Sequence, residues 1–286
     1  DLAARIPEIP DSNRMMFEIG CAILGVAFLV KAAMWPFGFW LPATYSAASA
    51  PAAAMFAILT KVGVYVVIRL SLLLFSGEAG GSAGFSGAWL ALGGLVTIGF
   101  GTIGVLASRT MSRIAGFCVI VSAGVILAAV GIGGEAALAG ALYYLIASTL
   151  AASAFFLLIE LLNRARGTTA APGSPPVFSD EFRDPYEDGT ETDEIGVIIP
   201  AAVGLVSGGF ILCALLLAGL PPLSGFIGKF AIMTGLLPVT GEIPAISWVL
   251  IALLTLSSLA TLVVLARVGI EVLWVPAERP LLKVQA

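Results

Sequence analysis

The sequence predicts an all-α polytopic membrane protein of about seven transmembrane helices, two of them broken. Three observations predict it. Of 286 residues, 59% are hydrophobic and only 11% charged, with a mean hydropathy of +1.05. A soluble domain is about 45–50% apolar and about 25% charged. Apolar runs of the ~20 residues needed to cross a bilayer recur near 15–43, 50–75, 87–107, 111–132, 136–162, 196–237 and 245–272. The first and sixth are too long for one straight span. Each carries prolines, Pro36 and Pro42 in the first, Pro221 and Pro222 in the sixth, so both read as broken helices.

Around the breaks the chemistry is specific. Pro36 has no N–H, and its ring disrupts the turn over residues 32–36. In the sixth run, Gly219, Pro221, Pro222, Gly225 and Gly228 argue against a continuous helix. One half-helix is expected to end near Gly219 and the next to restart near Ser224, a favourable N-cap type. The glycine-rich stretch "LGGLVTIGFGTIG" reads as close helix packing, and it lacks the strand context of a nucleotide site. Trp35, Phe37, Phe39 and Trp40 read as a packing and interface belt.

Between the fifth and sixth runs, residues 163–195 form a solvated loop rich in Pro, Gly, Ser, Thr and acid. Residues 167–194 hold eight acids and one base, a net of −7. The whole chain carries −4, so the remainder is about +3. The acidity therefore belongs to one loop. Orientation follows the basic residues instead. Arg109, Arg113, Arg164, Arg166, Arg267, Arg279 and Lys283 fall on one side, which is assigned to the cytoplasm together with the acidic loop. The other side has Arg5 and Arg14, with Glu78, Glu135 and Glu242 in its later loops. The N-terminus is then outside. Asp1 opens into a polar stretch with no initiating Met or signal peptide, which reads as part of a longer protein or as a chain with its ends removed.

Cys21, Cys118 and Cys213 lie singly in separate apolar runs, which indicates neither a disulfide frame nor a metal site. There is no histidine, so the usual near-neutral proton carrier is missing. That role falls to the lysines deep in the runs: Lys31, Lys61 and Lys229. Intramembrane ionisable groups are functional candidates by default. Lys31 lies 16 residues into its run, too deep to reach water by its own stem. Carbonyls freed by Pro36 can hold water or a cation if they line a cavity. Lys61 is near mid-span, beside Ala57, Thr60 and Gly63, which leave space for water or a close helix. Lys229 projects from the first turns after the second break. The plainer alternatives are interhelical pairing for Lys31 and Lys61, and stem-stretching to water for Lys229.

Burial disfavours a lysine's charged form. Two unit charges about 10 Å apart at an effective dielectric of about 20 repel by roughly 1.7 kcal/mol. Charging one lysine can thus expel a proton from the next, and a row of them joined by water makes a relay. Glu18 and Glu160 sit near run ends and read as interfacial, with accessory roles as entry groups the alternative.

The stretch "KAAMWPFGFWLPATYSAASAPAAAMFAILTKVGVYVVIR", with its K-x4-P-F-x2-W-L-P frame and T-K-V-G-V-Y, resembles the antiporter-like membrane subunits shared by respiratory complex I and the Mrp multisubunit cation/proton antiporters. "AGLPPLSGFIGKF" is a second match, and "WLPATYSAASAP" with the acidic loop looks closest to the D-type branch of the Mrp subunits, also called Pha. The resemblance implies a fourteen-helix fold of two inverted five-helix repeats, each with one broken helix, of which this chain carries about half. Residues 1–75 would end the first repeat (family helices 7 and 8), 87–272 would form the second (helices 9–13), and 273–286 a C-terminal tail. Lys31, Lys61 and Lys229 match the family's lysines of the seventh, eighth and twelfth helices. Two departures stand out. The family's fifth-helix glutamate would precede Asp1. Ala147 and Ala152 stand where relatives often carry histidine and lysine.

The implied function is a secondary-transport subunit, not an enzyme, in a bacterial inner membrane. It would pass protons along Lys31, Lys61 and Lys229 in exchange for Na⁺ or K⁺, with other members of the complex and lipid as partners. Neither ATP, a redox cofactor, a metal nor nucleic acid is called for. The alternatives are a proton-pumping membrane subunit of complex I or a membrane hydrogenase, distinguishable by genomic neighbours, and a helical scaffold without transport.

Overall fold

A computed structural model of the chain describes residues 6, 9–75, 82–169, 201–237 and 243–273. Among these are nine α-helices and no strand: α1 (Asp11–Lys31), α2 (Leu41–Ala47), α3 (Ala50–Leu74), α4 (Gly87–Ala107), α5 (Met111–Ile132), α6 (Glu135–Thr169), α7 (Ala201–Ala218), α8 (Ser224–Gly235) and α9 (Ala245–Leu273). Six are long and apolar enough to span a membrane, and α7 is a shorter apolar helix. The chain is thus a multi-pass membrane protein. Glu78, Glu242, the acidic segment from residue 170 and the tail from residue 274 lie outside the described residues.

The two overlong runs are broken where the prolines lie. The first divides into α1 and α2, the sixth into α7 and α8. At the first break, a continuous helix would direct the Trp35 N–H to the Lys31 carbonyl. The N–H instead donates to Thr97 Oγ1 on α4, at 2.9 Å. Pro36 offers no donor for the next turn, and the chain bends through Ala33 at φ 57°. Gly38 folds back so closely that a Cβ there would lie 2.3 Å from the Ala33 carbonyl oxygen. Leu41 and Pro42 then open α2, with proline in the first helical turn, where its missing donor is harmless.

At the second break, Gly219 adopts φ 75° and the Leu220 N–H reaches back to the Leu215 carbonyl at 3.1 Å. This six-to-one bond with a left-handed glycine is a Schellman ending. The next half-helix starts one residue earlier than Ser224 suggests: Leu223 is the N-cap and no side chain caps it. The larger correction concerns the fifth span. Its helix runs on to Thr169, so the segment from 163 is helical at its start. The polar residues of "ELLNRAR" end the apolar run without ending the helix, because the Leu161–Arg166 stretch consists largely of good helix formers.

Lipid tails are as apolar as leucine, so helices associate through close packing rather than water exclusion. The most buried span is α5, with 83% of its apolar window inside the bundle. It packs on α2, α3, α4, α6 and α9. The α4–α5 contact uses the glycines of "LGGLVTIGFGTIG" on α4 together with a glycine of α5: a Cβ on Gly94 would lie 2.5 Å from the Ala128 nitrogen, and one on Gly131 2.2 Å from the Ala91 nitrogen. The α6–α8 contact is equally tight at Gly140, Gly228 and Gly235. The core divides into two apolar clusters. One gathers Leu41, Tyr45, Ala57, Ile120, Phe155 and Val264. The other gathers Ala32, Val64, Val125, Tyr144, Ile232 and Leu254.

Candidate functional site

The buried polar side chains collect where the two apolar clusters meet. Along α3, Ala57 belongs to one cluster and Val64 to the other, with Thr60 and Lys61 between them. Along α6, Ser148 separates Tyr144 from Ala152; along α9, Ser257 and Thr261 separate Leu254 from Val264. On α5 the clusters meet at Ile120 and Val121, beside Ser122. A polar layer therefore crosses the bundle between two apolar slabs.

Lys61 is 2% exposed. Its Nζ donates to Ser122 Oγ at 2.6 Å, and Ser122 donates onward to the Val119 carbonyl at 2.8 Å. Thr60, one residue back, pairs with the Tyr45 hydroxyl at 2.7 Å and so ties α2 to α3.

Lys229 is 4% exposed. Its ammonium sits over the end of α7, donating to the Ala218 carbonyl at 3.0 Å and the Leu217 carbonyl at 3.4 Å, and to Ser258 Oγ on α9 at 2.8 Å. It lies 5.9 Å from the Tyr144 ring centre. The carbonyls at a helix end have no intrahelical donor, and a lysine is suited to them. The break thus supplies the acceptors that hold the charge. Neither Lys61 nor Lys229 has a carboxylate partner among the described residues.

Gly219 is what lets Lys229 lie there. A Cβ on Gly219 would stand 2.8 Å from Lys229 Cδ and 3.0 Å from Nζ. Gly219→Val would also place a side chain at positive φ, at a cost of roughly 1–2 kcal/mol. The purified complex carrying Gly219→Val should melt below the parent and lose exchange; parental melting and parental exchange together would contradict this role.

Between Lys61's partner and Lys229 lies a small cavity with about 10 Å³ open to water centres, room for about one molecule. Ser122, Ser148, Thr261, Tyr144, Cys118 and Lys229 are among its walls. The serines and the threonine do not stand out as candidates in the sequence. Each also bonds a carbonyl one turn back on its own helix, as isolated helical hydroxyls commonly do.

Lys31 differs from the sequence expectation. It closes α1 and is exposed in this chain, with no hydrogen-bond partner among the described residues. Its stem lies against Gly63, where an added Cβ would stand 3.1 Å from Lys31 Cγ. Gly63 follows Lys61 by two, and such positions do not share a helix face. The two lysines therefore flank α3 rather than face each other. An apolar cavity of about 600 Å³ adjoins the first break, with Leu29, Met34, Trp35, Pro36 and Trp89 among its walls. Lys31 is not among that cavity's lining residues, which are mostly apolar.

Glu18 accepts from Ser82 Oγ at 2.9 Å. It lies 13 residues before Lys31, about 20 Å along α1. Glu160 is half-buried and 12 residues past Ser148, about 18 Å along α6. Both are remote from the polar layer. Of the aromatic belt, Phe39 and Trp35 are exposed, whereas Trp40 packs on the first apolar cluster.

The family model described as "NADH:quinone oxidoreductase/Mrp antiporter, TM" matches residues 6–261. A probable K⁺/H⁺ antiporter D-type subunit of Rhizobium meliloti is 50% identical over 97% of this chain and 52% of its own length. The corresponding Na⁺/H⁺ antiporter D-type subunit of Bacillus subtilis is 32% identical over 96% of this chain and 49% of its own. The chain spans about half the length of these relatives. A structure of the Mrp complex from Dietzia sp. superposes on 96% of this chain and 48% of its own with a TM-score of 0.71 at 22% identity, which shows the shared fold. The polar layer, the two proline breaks and the family match over residues 6–261 together place this chain in the family of transmembrane subunits shared by NADH:quinone oxidoreductases and Mrp antiporters.

Proposed function

We propose that this chain is the proton-carrying portion of a D-type subunit in a multisubunit Na⁺(K⁺)/H⁺ antiporter. The observation that carries this reading is the layer of Lys61, Ser122, Ser148, Thr261 and Lys229 enclosed between apolar clusters. Protons enter and leave through lysines held by neutral hydroxyls and carbonyls, so each can discharge without leaving an opposing charge behind. Lys31, at the end of α1 beside the first break, is the third proton carrier of the relay. Glu18 and Glu160, remote from the layer, are interfacial groups, with proton entry the alternative role. Na⁺ or K⁺ leaves the cell in exchange, through the assembled complex in a bacterial inner membrane. The N-terminal end faces outward and the acidic segment faces the cytoplasm. The 50% identity to a K⁺/H⁺ antiporter subunit supports this reading over a complex I membrane subunit, although the family includes both.

The test uses everted vesicles carrying the whole complex, with Na⁺-dependent and K⁺-dependent pH changes as the readout. Lys31→Ala should lower exchange about 100-fold or more, in line with the loss of a positioned proton carrier. Exchange unchanged in that variant would overturn the relay assignment.

A further inference from the structure

We propose that the Ser122 hydroxyl and a single water bounded by Ser148 and Thr261 join Lys61 to Lys229. The inference rests on the relay reading above and adds its central link. On α6 the cavity is lined by Tyr144 and Ser148, and the neighbouring Ala147 and Ala152 offer no polar side chain. Yet Lys61 is not isolated. Its ammonium donates to Ser122 Oγ at 2.6 Å, and Ser122 also borders the cavity that Lys229 borders. That cavity has about 10 Å³ open to water centres, which suits about one water with two to four polar partners. Ser148, Thr261 and Ser122 supply hydroxyls around it, and Tyr144 closes one wall.

The proton balance is complete without any further reactant. The Lys61 ammonium gives a proton to Ser122 Oγ as the Ser122 O–H gives its own to the water. The water passes one of its protons to neutral Lys229 Nζ. One N–H breaks at Lys61 and one forms at Lys229; the serine and the water each exchange one O–H for another. Rotation of the Ser122 hydroxyl, which otherwise donates to the Val119 carbonyl at 2.8 Å, resets the link. A hydroxyl has one donor and two acceptor positions, enough to accept from Lys61 while it donates to the water. Arrival of the proton restores the three-bond seat of Lys229 on Ala218, Leu217 and Ser258.

The experiment is ion-driven proton exchange by the complete complex in everted vesicles, normalised to assembled complex. Ser122→Ala should lower exchange about tenfold or more, and Ser122→Thr, which keeps the hydroxyl, should restore it to within about twofold of the parent. Thr261→Val, which keeps shape and removes the second hydroxyl, should also lower exchange. Parental exchange in Ser122→Ala, or a Ser122→Thr variant as slow as Ser122→Ala, overturns the link. Lys61→Ala in the same assay separates the two readings. If Lys61→Ala is inactive while Ser122→Ala is fully active, the relay stands and the hydroxyl link fails; if Lys61→Ala is active, the relay itself fails.

Discussion

Lys229→Met is expected to abolish proton exchange and to leave a complex that melts below the one carrying Lys61→Met. Both substitutions remove a buried ammonium and insert an apolar chain of similar length. Replacing a buried charge with apolar volume is often neutral or stabilising by about 1–4 kcal/mol. At Lys229 that gain is offset. The ammonium is the donor for two carbonyls at the end of α7, Ala218 at 3.0 Å and Leu217 at 3.4 Å. Methionine leaves both unpaired, and each buried orphan costs about 1–3 kcal/mol. Ser258 is less affected, because it still donates to the Leu254 carbonyl. Thermal denaturation of the purified complexes orders the two variants. Equal melting would show that the ammonium does not hold the break. Exchange should fall by about 100-fold or more, the scale of a lost proton-transfer group.

Much of the fold was legible in the sequence because its signals are coarse. Runs of apolar residues marked the spans, and Pro36, Pro221 and Pro222 marked both breaks. The three lysines were conspicuous as charges inside such runs. Two of them are buried as expected, and Lys31 is not. Its exposure depends on which helices surround α1, and its own neighbours along the chain carry no such information. The extension of α6 to Thr169 was also hidden, since a polar sequence can remain helical after it leaves an apolar run.

The hydroxyls were the main omission. Ser122, Ser148 and Thr261 each bond a carbonyl on their own helix, so sequence alone gives them a sufficient local explanation. Their meeting at one cavity depends on three separate helices, α5, α6 and α9, and on where two apolar clusters stop. The tight α4–α5 contact at Gly94 and Gly131 fixes the position of α5, and with it Ser122. That contact was legible from glycine content, whereas the polar layer it positions was not.

The central claim is that protons cross this bundle through its enclosed polar layer. Lys61→Met tests it with least disturbance to the fold. Lys61 has one side-chain partner, and Ser122 retains its bond to the Val119 carbonyl when the ammonium is gone. No helix-end carbonyl loses a donor. The variant complex is therefore expected to melt at or above the parent, by up to about 1–4 kcal/mol of added stability. The decisive measurement is ion-driven proton exchange in everted vesicles by that intact, assembled variant. Exchange lowered by about 100-fold is the predicted result; exchange at the parental rate contradicts the account.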